Sequence, residues 1–148
     1  MTFSRKVTCP YCGASERIPA ERFSDDLVCG ACGRAMFGGR PIELDAVRFG
    51  ELLTDETPLL VDYWASWCGP CKAMAPAFEQ AARSLEDTVQ FAKLNTDDEQ
   101  QIAQEHGIRS IPTMILFHGG KEIARHAGAM SAGDIRTWVE NHLADDAA

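Results

Sequence analysis

All six cysteines of this 148-residue chain fall in Cys-x-x-Cys pairs, and that constrains its fold more than any other feature. The first two pairs, Cys9-Pro10-Tyr11-Cys12 and Cys29-Gly30-Ala31-Cys32, are each followed by glycine, with 16 residues between them. Two residues between sulfurs allow a tight turn that aims both at one ion. The glycine after each pair permits a positive φ and lets backbone N–H groups approach the sulfurs. Four thiolates in tetrahedral arrangement suit Zn2+, so Cys9, Cys12, Cys29 and Cys32 are the expected ligands of one zinc ion. Iron is the alternative metal, and two disulfides are the alternative to a metal. The third pair, Cys68-Gly69-Pro70-Cys71, follows an apolar run and Trp67 and precedes a stretch of helical periodicity. No fourth pair exists to complete a second four-cysteine site, which favours a redox dithiol over a metal half-site or a structural disulfide.

Charge divides the chain. Residues 1–40 carry six basic and four acidic side chains, and since the whole chain has a net charge of −8, the remainder carries −10. So acidic a body argues against nucleic acid as the principal partner. The apolar stretches are too short to span a membrane. Met1 to Cys9 holds two positive charges and no apolar core, so no secretory signal is expected. Thiols without such a signal point to a reducing compartment, hence the cytoplasm. The charge step and Gly38-Gly39-Arg40-Pro41 mark an expected boundary between a module at 1–40 and a domain at 41–148. The first segment has few apolar residues (Ile18, Leu27, Val28 and Phe37) and is too short to bury much core without a staple, which a metal would supply. Its basic balance beside an acidic body suggests docking of the module on its own domain.

From Pro41 the apolar pattern becomes periodic. Ile42 to Leu44 reads as a short strand, and Asp45 caps a helix to about Leu53 that ends in Thr54-Asp55-Glu56-Thr57-Pro58. Leu59 to Ala65 reads as a buried central strand, and Pro70 to about Leu85 as a helix that Pro76 should kink. A strand at Val89–Leu94, a helix at Asp98–His106 ended by Gly107, and a strand at Thr113–Phe117 follow. Gly119-Gly120 turns into a strand at Lys121–Ala127, and Ser131 caps a last helix to about Leu143, with Asp145–Ala148 frayed. Strands alternating with helices predict an α/β fold with a parallel sheet, to which the closing hairpin adds an antiparallel edge. His106, His118, His126 and His142 have no ligand spacing and read as ordinary helix-end, loop or surface residues.

Val61-Asp62-Tyr63-Trp64-Ala65-Ser66-Trp67-Cys68-Gly69-Pro70-Cys71-Lys72 resembles the active-site segment of the thioredoxins. Ala92-Lys93-Leu94-Asn95, Gly107-Ile108-Arg109-Ser110-Ile111-Pro112-Thr113 and Ala127-Gly128-Ala129 match further family motifs in order. The resemblance covers roughly residues 41–143. With the early cysteines, the whole chain resembles the zinc-containing thioredoxin 2 subgroup. It implies a thioredoxin fold, a central mixed sheet flanked by helices, with a small zinc-ribbon-like module in front.

Cys68 would then lie at a helix N-terminus, where unpaired N–H groups and the helix dipole favour a thiolate, and Cys71 one turn on. Pro70 suits that first turn because its missing N–H has no partner there. Cys68 is the candidate nucleophile and Cys71 the resolving thiol. Asp62 is a carboxylate within an apolar strand, sharing a face with Leu60 and Trp64; buried unpaired, its pKa rises. The resemblance implies that Asp62 assists deprotonation of Cys71 through water, with Lys93 as its charge partner. It implies a cis bond before Pro112, although a strand-start proline reads the same way. Trp67, Gly69, Pro70, Ile111, Pro112 and Gly128 are the expected substrate-facing residues, while Trp64 packs under the active-site loop.

The expected activity is reduction of protein disulfides without a bound organic cofactor. The resemblance implies recharging by an NADPH-dependent flavoprotein thioredoxin reductase and clients among disulfide-containing proteins. A monomer with no membrane partner is expected. A disulfide-forming oxidase is disfavoured by Gly69-Pro70, and a zinc-linked redox sensor or adaptor is the other alternative.

Overall fold

Eleven elements follow one another along the chain in this computed structural model, which describes residues 4–19, 21–22, 27–36, 40–85 and 88–147. They are β1 (Ser4–Thr8), β2 (Ser15–Pro19), β3 (Ile42–Glu43), α1 (Ala46–Leu53), β4 (Leu59–Trp64), α2 (Gly69–Ser84), β5 (Gln90–Asn95), α3 (Gln100–Glu105), β6 (Thr113–His118), β7 (Lys121–Ala127) and α4 (Ala132–Ala147). Strands β3 to β7 form one sheet in the order β3-β5-β4-β6-β7. Side-chain alternation gives it two apolar faces. Leu59, Val61, Tyr63, Ala92, Leu94, Ile115 and Phe117 share one core with Phe49 and Leu52 of α1 and Ile102 of α3. Leu60, Phe91, Met114 and Leu116 share the other with Met74 and Phe78 of α2 and Ile135 and Val139 of α4. The dithiol helix α2 is therefore clamped onto the central strand that carries Asp62.

The sheet is mixed. β3, β5 and β4 run parallel, and β6 pairs antiparallel with β4 as well as with β7. Antiparallel pairing thus begins one strand earlier than a closing hairpin alone provides, because residues 106–112 do not carry the chain back across the sheet. Asp45 caps α1 by accepting from Arg48 N at 2.8 Å, and Ser131 caps α4 by accepting from Asp134 N at 3.1 Å. Two helix ends differ from expectation. α3 starts later than Asp98, since Glu99 precedes it without a side-chain cap while Asp97 N donates to Asn95 Oδ1 at 2.9 Å in a turn. α4 continues to Ala147 instead of fraying at Asp145, its last turn tied to β6 by His118 Nδ1 and Asp146 Oδ2 at 2.7 Å. α2 runs without interruption through Pro76.

The N-terminal segment contains a hairpin that its weak apolar pattern does not announce. β1 and β2 pair antiparallel from Ser4↔Pro19 to Thr8↔Ser15. Its core is small: Val7, Cys9, Ile18, Leu27, Cys29 and Met36. Phe37 and the Gly38-Gly39 boundary lie outside the described residues.

Candidate functional site

Cys68 and Cys71 meet where β4 hands the chain to α2. Cys68 is the N-cap of that helix, so its sulfur accepts from Cys71 N at 3.2 Å, and Pro70 occupies the first turn. The two residues, with Cα atoms 5.3 Å apart, are joined by a disulfide, and both are buried with 4% and 2% of their surface exposed. Ala65, Trp64 and Ile111 pack around the pair.

Asp62 lies on the face of β4 that α2 covers and is fully buried. Neither carboxylate oxygen hydrogen-bonds to a protein group among the described residues. Burial holds this carboxyl up at about 7, the Lys93 ammonium opposing the rise and the Glu43 carboxylate adding to it. Lys93 stands directly across from Asp62 in the β4–β5 register. Its ammonium is not within ion-pair distance of Asp62; it sits over the Trp64 ring, 4.3 Å from the centroid. Lys93 thus acts on Asp62 through space and not in contact, because the indole of Trp64 takes the cation's near shell.

Of the residues expected to face a client, Trp67, Gly69 and Pro70 are exposed next to Cys68 in the chain, and Ile111 packs against it. Trp67 is 68% exposed, its ring fixed by Nε1 donating to Asp97 Oδ2 at 3.0 Å. The Ile111–Pro112 bond is cis, and Ile111 O lies 3.7 Å from Cys68 Sγ. Gly128, at φ +105°, donates its N–H to Pro112 O at 2.8 Å, a backbone conformation that a side chain rarely adopts. Gly69 is exposed with nothing within contact distance of where a side chain would go. A cavity of about 340 Å3 opens beside Trp67, lined by Thr96, Ala103, Ile108, Arg109, Ser110 and Ile111. Sequence reasoning missed Asp97, whose signal was the acidic pair Asp97-Asp98 one residue beyond β5.

The other four cysteines converge in the N-terminal segment, their sulfurs all within 4.8 Å of one another. Cys9 and Cys32 sulfurs are 3.7 Å apart, and those of Cys12 and Cys29 are 3.6 Å apart. Four sulfurs held tetrahedrally at a Zn–S length of about 2.3 Å stand about 3.8 Å apart, so this spacing fits the ion. Each pair turns through a glycine of positive φ, Gly13 at +82° and Gly33 at +78°. The turns let Tyr11 N donate to Cys9 Sγ and Ala31 N to Cys29 Sγ, both at 3.4 Å. Burial pushes the Cys9 thiol up to about 12, whereas N–H donation from Cys32 and Ala31 brings Cys29 to about 7. A metal is what allows all four to be thiolates together in so small a volume.

The Thr54–Glu56 segment that ends α1 receives the β1–β2 hairpin. Asp55 is buried and accepts from Thr8 N at 2.9 Å and from Thr8 Oγ1 at 2.5 Å. Glu56 exchanges backbone and side-chain hydrogen bonds with Lys6 and takes Arg17 in a two-pronged pair at 3.2 Å. Arg48 of α1 donates to Tyr11 O at 3.2 Å, and Gly13 passes so close to Arg48 and Glu51 that a side chain there would collide with them. The basic segment thus meets acidic residues of the body, as the charge division suggested. His106 also departs from its bland reading: its Nδ1 is 2.7 Å from the buried Tyr63 hydroxyl, and burial lowers its pKa.

Comparisons with known proteins agree with this geometry. A family model described as Thioredoxin matches residues 40–141, and one described as Thioredoxin 2, N-terminal matches residues 8–34. Thioredoxin C-3 of Corynebacterium nephridii is 37% identical over 138 residues, 93% of this chain and 94% of that protein. Thioredoxin 1 of Nostoc sp. is 41% identical over 93 residues, 63% of this chain and 87% of its own length. The crystal structure of Malassezia sympodialis thioredoxin superposes with a TM-score of 0.66 at 31% identity, covering 75% of this chain and 97% of that one.

Proposed function

This chain belongs to the thioredoxin family, a thiol–disulfide oxidoreductase, and from that premise we propose that it reduces client protein disulfides in the manner of thioredoxin 2. The observation that carries the proposal is the Cys68–Cys71 disulfide at the start of α2, over a strand that holds a buried, unpaired Asp62. In the reduced protein the Cys71 N–H and the α2 dipole stabilise a Cys68 thiolate. That thiolate attacks one sulfur of the client disulfide, and the other client sulfur leaves as a thiol. Asp62 takes the proton of Cys71. The Cys71 thiolate then attacks Cys68, forming the intramolecular disulfide and releasing the second client thiol. Two electrons pass from the dithiol to the client. Burial makes Asp62 hold its proton, and Lys93 opposes that rise so that the carboxyl gives the proton up near neutral pH. Trp67, Gly69, Pro70, Ile111, Pro112 and Gly128 bind the client segment in extended form.

One zinc ion on Cys9, Cys12, Cys29 and Cys32 staples the module 1–40, which docks on the domain 41–148 through the Thr54–Glu56 loop. When bound, the ion supplies the cross-link that so small a core lacks. An NADPH-dependent thioredoxin reductase in the cytoplasm returns the electrons. The alternative, a zinc-linked redox sensor, draws on the short Cys9···Cys32 and Cys12···Cys29 separations, which would become disulfides on oxidation.

Insulin-disulfide reduction tests the enzyme: Cys68→Ser should abolish it, and Cys71→Ser should accumulate a mixed disulfide with the client. Asp62→Asn should slow release of the mixed disulfide more than the first attack. Equal slowing of both steps removes Asp62 from the mechanism. Native mass spectrometry under mild oxidation separates the sensor, which loses zinc before the Cys68–Cys71 disulfide closes.

A further inference from the structure

The residue facing Lys93 from the far side is a second carboxylate. In the sheet register Glu43 of β3 stands opposite Lys93 of β5, and Lys93 stands opposite Asp62 of β4. Residues paired in register point to the same face, so Glu43, Lys93 and Asp62 form one row across the sheet on the α2 side. The row runs from an exposed carboxylate, through a half-buried ammonium, to a fully buried carboxylate. The Lys93 ammonium rests on Trp64, and Trp64 packs against the cluster of Cys68 and Cys71. A single cation thus serves two anions, one wet and one dry, beside the dithiol.

We propose that Glu43 is a positioning residue of the exchange centre, sharing Lys93 with Asp62 and so setting the pH at which Asp62 accepts the Cys71 proton. The proposal rests on the reading of Asp62 as that acceptor. The charged groups acting on the row are Lys93 on β5 and Asp98 after β5, the latter on Glu43; Cys71 of α2 is the thiol whose proton Asp62 accepts in the proposed exchange. Ionised Glu43 raises the proton affinity of Asp62 directly and also draws on the field of Lys93. Removing its charge makes Asp62 ionise at lower pH. The Cys71 S–H bond then breaks to a carboxylate that is present earlier in the titration but is a weaker base. The rest of the step is unchanged: the Cys71–Cys68 bond forms, the Cys68–client bond breaks, and the client sulfur leaves with both electrons of that bond.

Two strand spacings separate the carboxylate positions, about 9.6 Å, which through an effective dielectric of about 40 to 80 corresponds to roughly 0.3–0.6 pH unit. The test follows the carboxyl carbon of Asp62 by NMR across pH 4 to 10 in reduced protein, beside the pH profile of mixed-disulfide resolution. Glu43→Gln should move both inflections to lower pH by that amount, and Glu43→Asp should leave them near the unsubstituted value. Asp62→Asn should abolish both, and adding Glu43→Gln to it should change nothing further. Inflections that stay in place in Glu43→Gln, while vanishing in Asp62→Asn, overturn the role of Glu43 and leave that of Asp62 standing. A resolution profile that keeps its inflection in Asp62→Asn overturns the underlying reading instead.

Discussion

Asp62→Asn in the oxidised protein should be more stable than the unsubstituted chain at alkaline pH and no different at pH 4 or below. The carboxyl is fully buried, without a protein hydrogen bond, and titrates at about 7 instead of its ordinary 3.8. The unfolded chain therefore loses this proton near pH 3.8, and the folded chain holds it until about 7. Across that window the unfolded state binds fewer protons, so stability of the unsubstituted protein falls as pH rises, and the loss is complete above the folded value. Roughly three pH units at about 1.4 kcal/mol each make the full difference about 4 kcal/mol, an order-of-magnitude figure that is large against a net stability of about 5–15 kcal/mol. Asparagine is neutral at all these pH values and close in shape to the protonated acid, so it removes the linkage without opening a cavity. The assay is denaturant unfolding of both proteins with the Cys68–Cys71 disulfide intact, at pH 4, 5, 6, 7, 8 and 9. The stability difference should grow from near zero and level off above pH 7. Curves that run parallel from pH 4 to 9 refute the reasoning, because they mean that Asp62 ionises equally in both states.

Asp55→Ala should free the N-terminal module from the domain, since it strands the buried Thr8 N–H at a cost of about 1–3 kcal/mol; hydrogen exchange at β1 should rise while that at β4 stays protected. Removing the metal with a strong chelator should collapse protection throughout β1 and β2 but not in the main sheet, and retained hairpin protection would show that the small core suffices alone. Tyr63→Phe removes the hydroxyl shared with His106 and should cost about 1 kcal/mol, with the His106 ring resonances shifting. Phe78→Ala, between α2 and the sheet, should cost about 3–5 kcal/mol in the same unfolding assay.

Legibility tracked distance along the chain. The strand at Leu59–Trp64, the helix starting at the dithiol, the caps Asp45 and Ser131 and the split of six cysteines into four that converge and two that close a disulfide are written in short local motifs. Caps and periodicity act locally, so neighbouring residues suffice to specify them. The chain by itself also separated a basic forty-residue segment from an acidic body. What it could not specify was which distant groups share a pocket. Thr8 and Asp55, 47 residues apart, look like a strand residue and a turn residue until folding buries their hydrogen bonds together. Tyr63 and His106 look like a core aromatic and a helix-end histidine. Lys93 reads as the partner of Asp62, yet sheet register places it between two carboxylates and packing lays it on Trp64. Register and burial are set by the sum of all core contacts rather than by any one segment, and they decide the local dielectric. The sequence named the two sulfurs that react. Only the tertiary structure set how deeply Asp62 is buried and laid the Lys93 ammonium on Trp64 in register between two carboxylates, because a charge acquires its chemical character from what surrounds it.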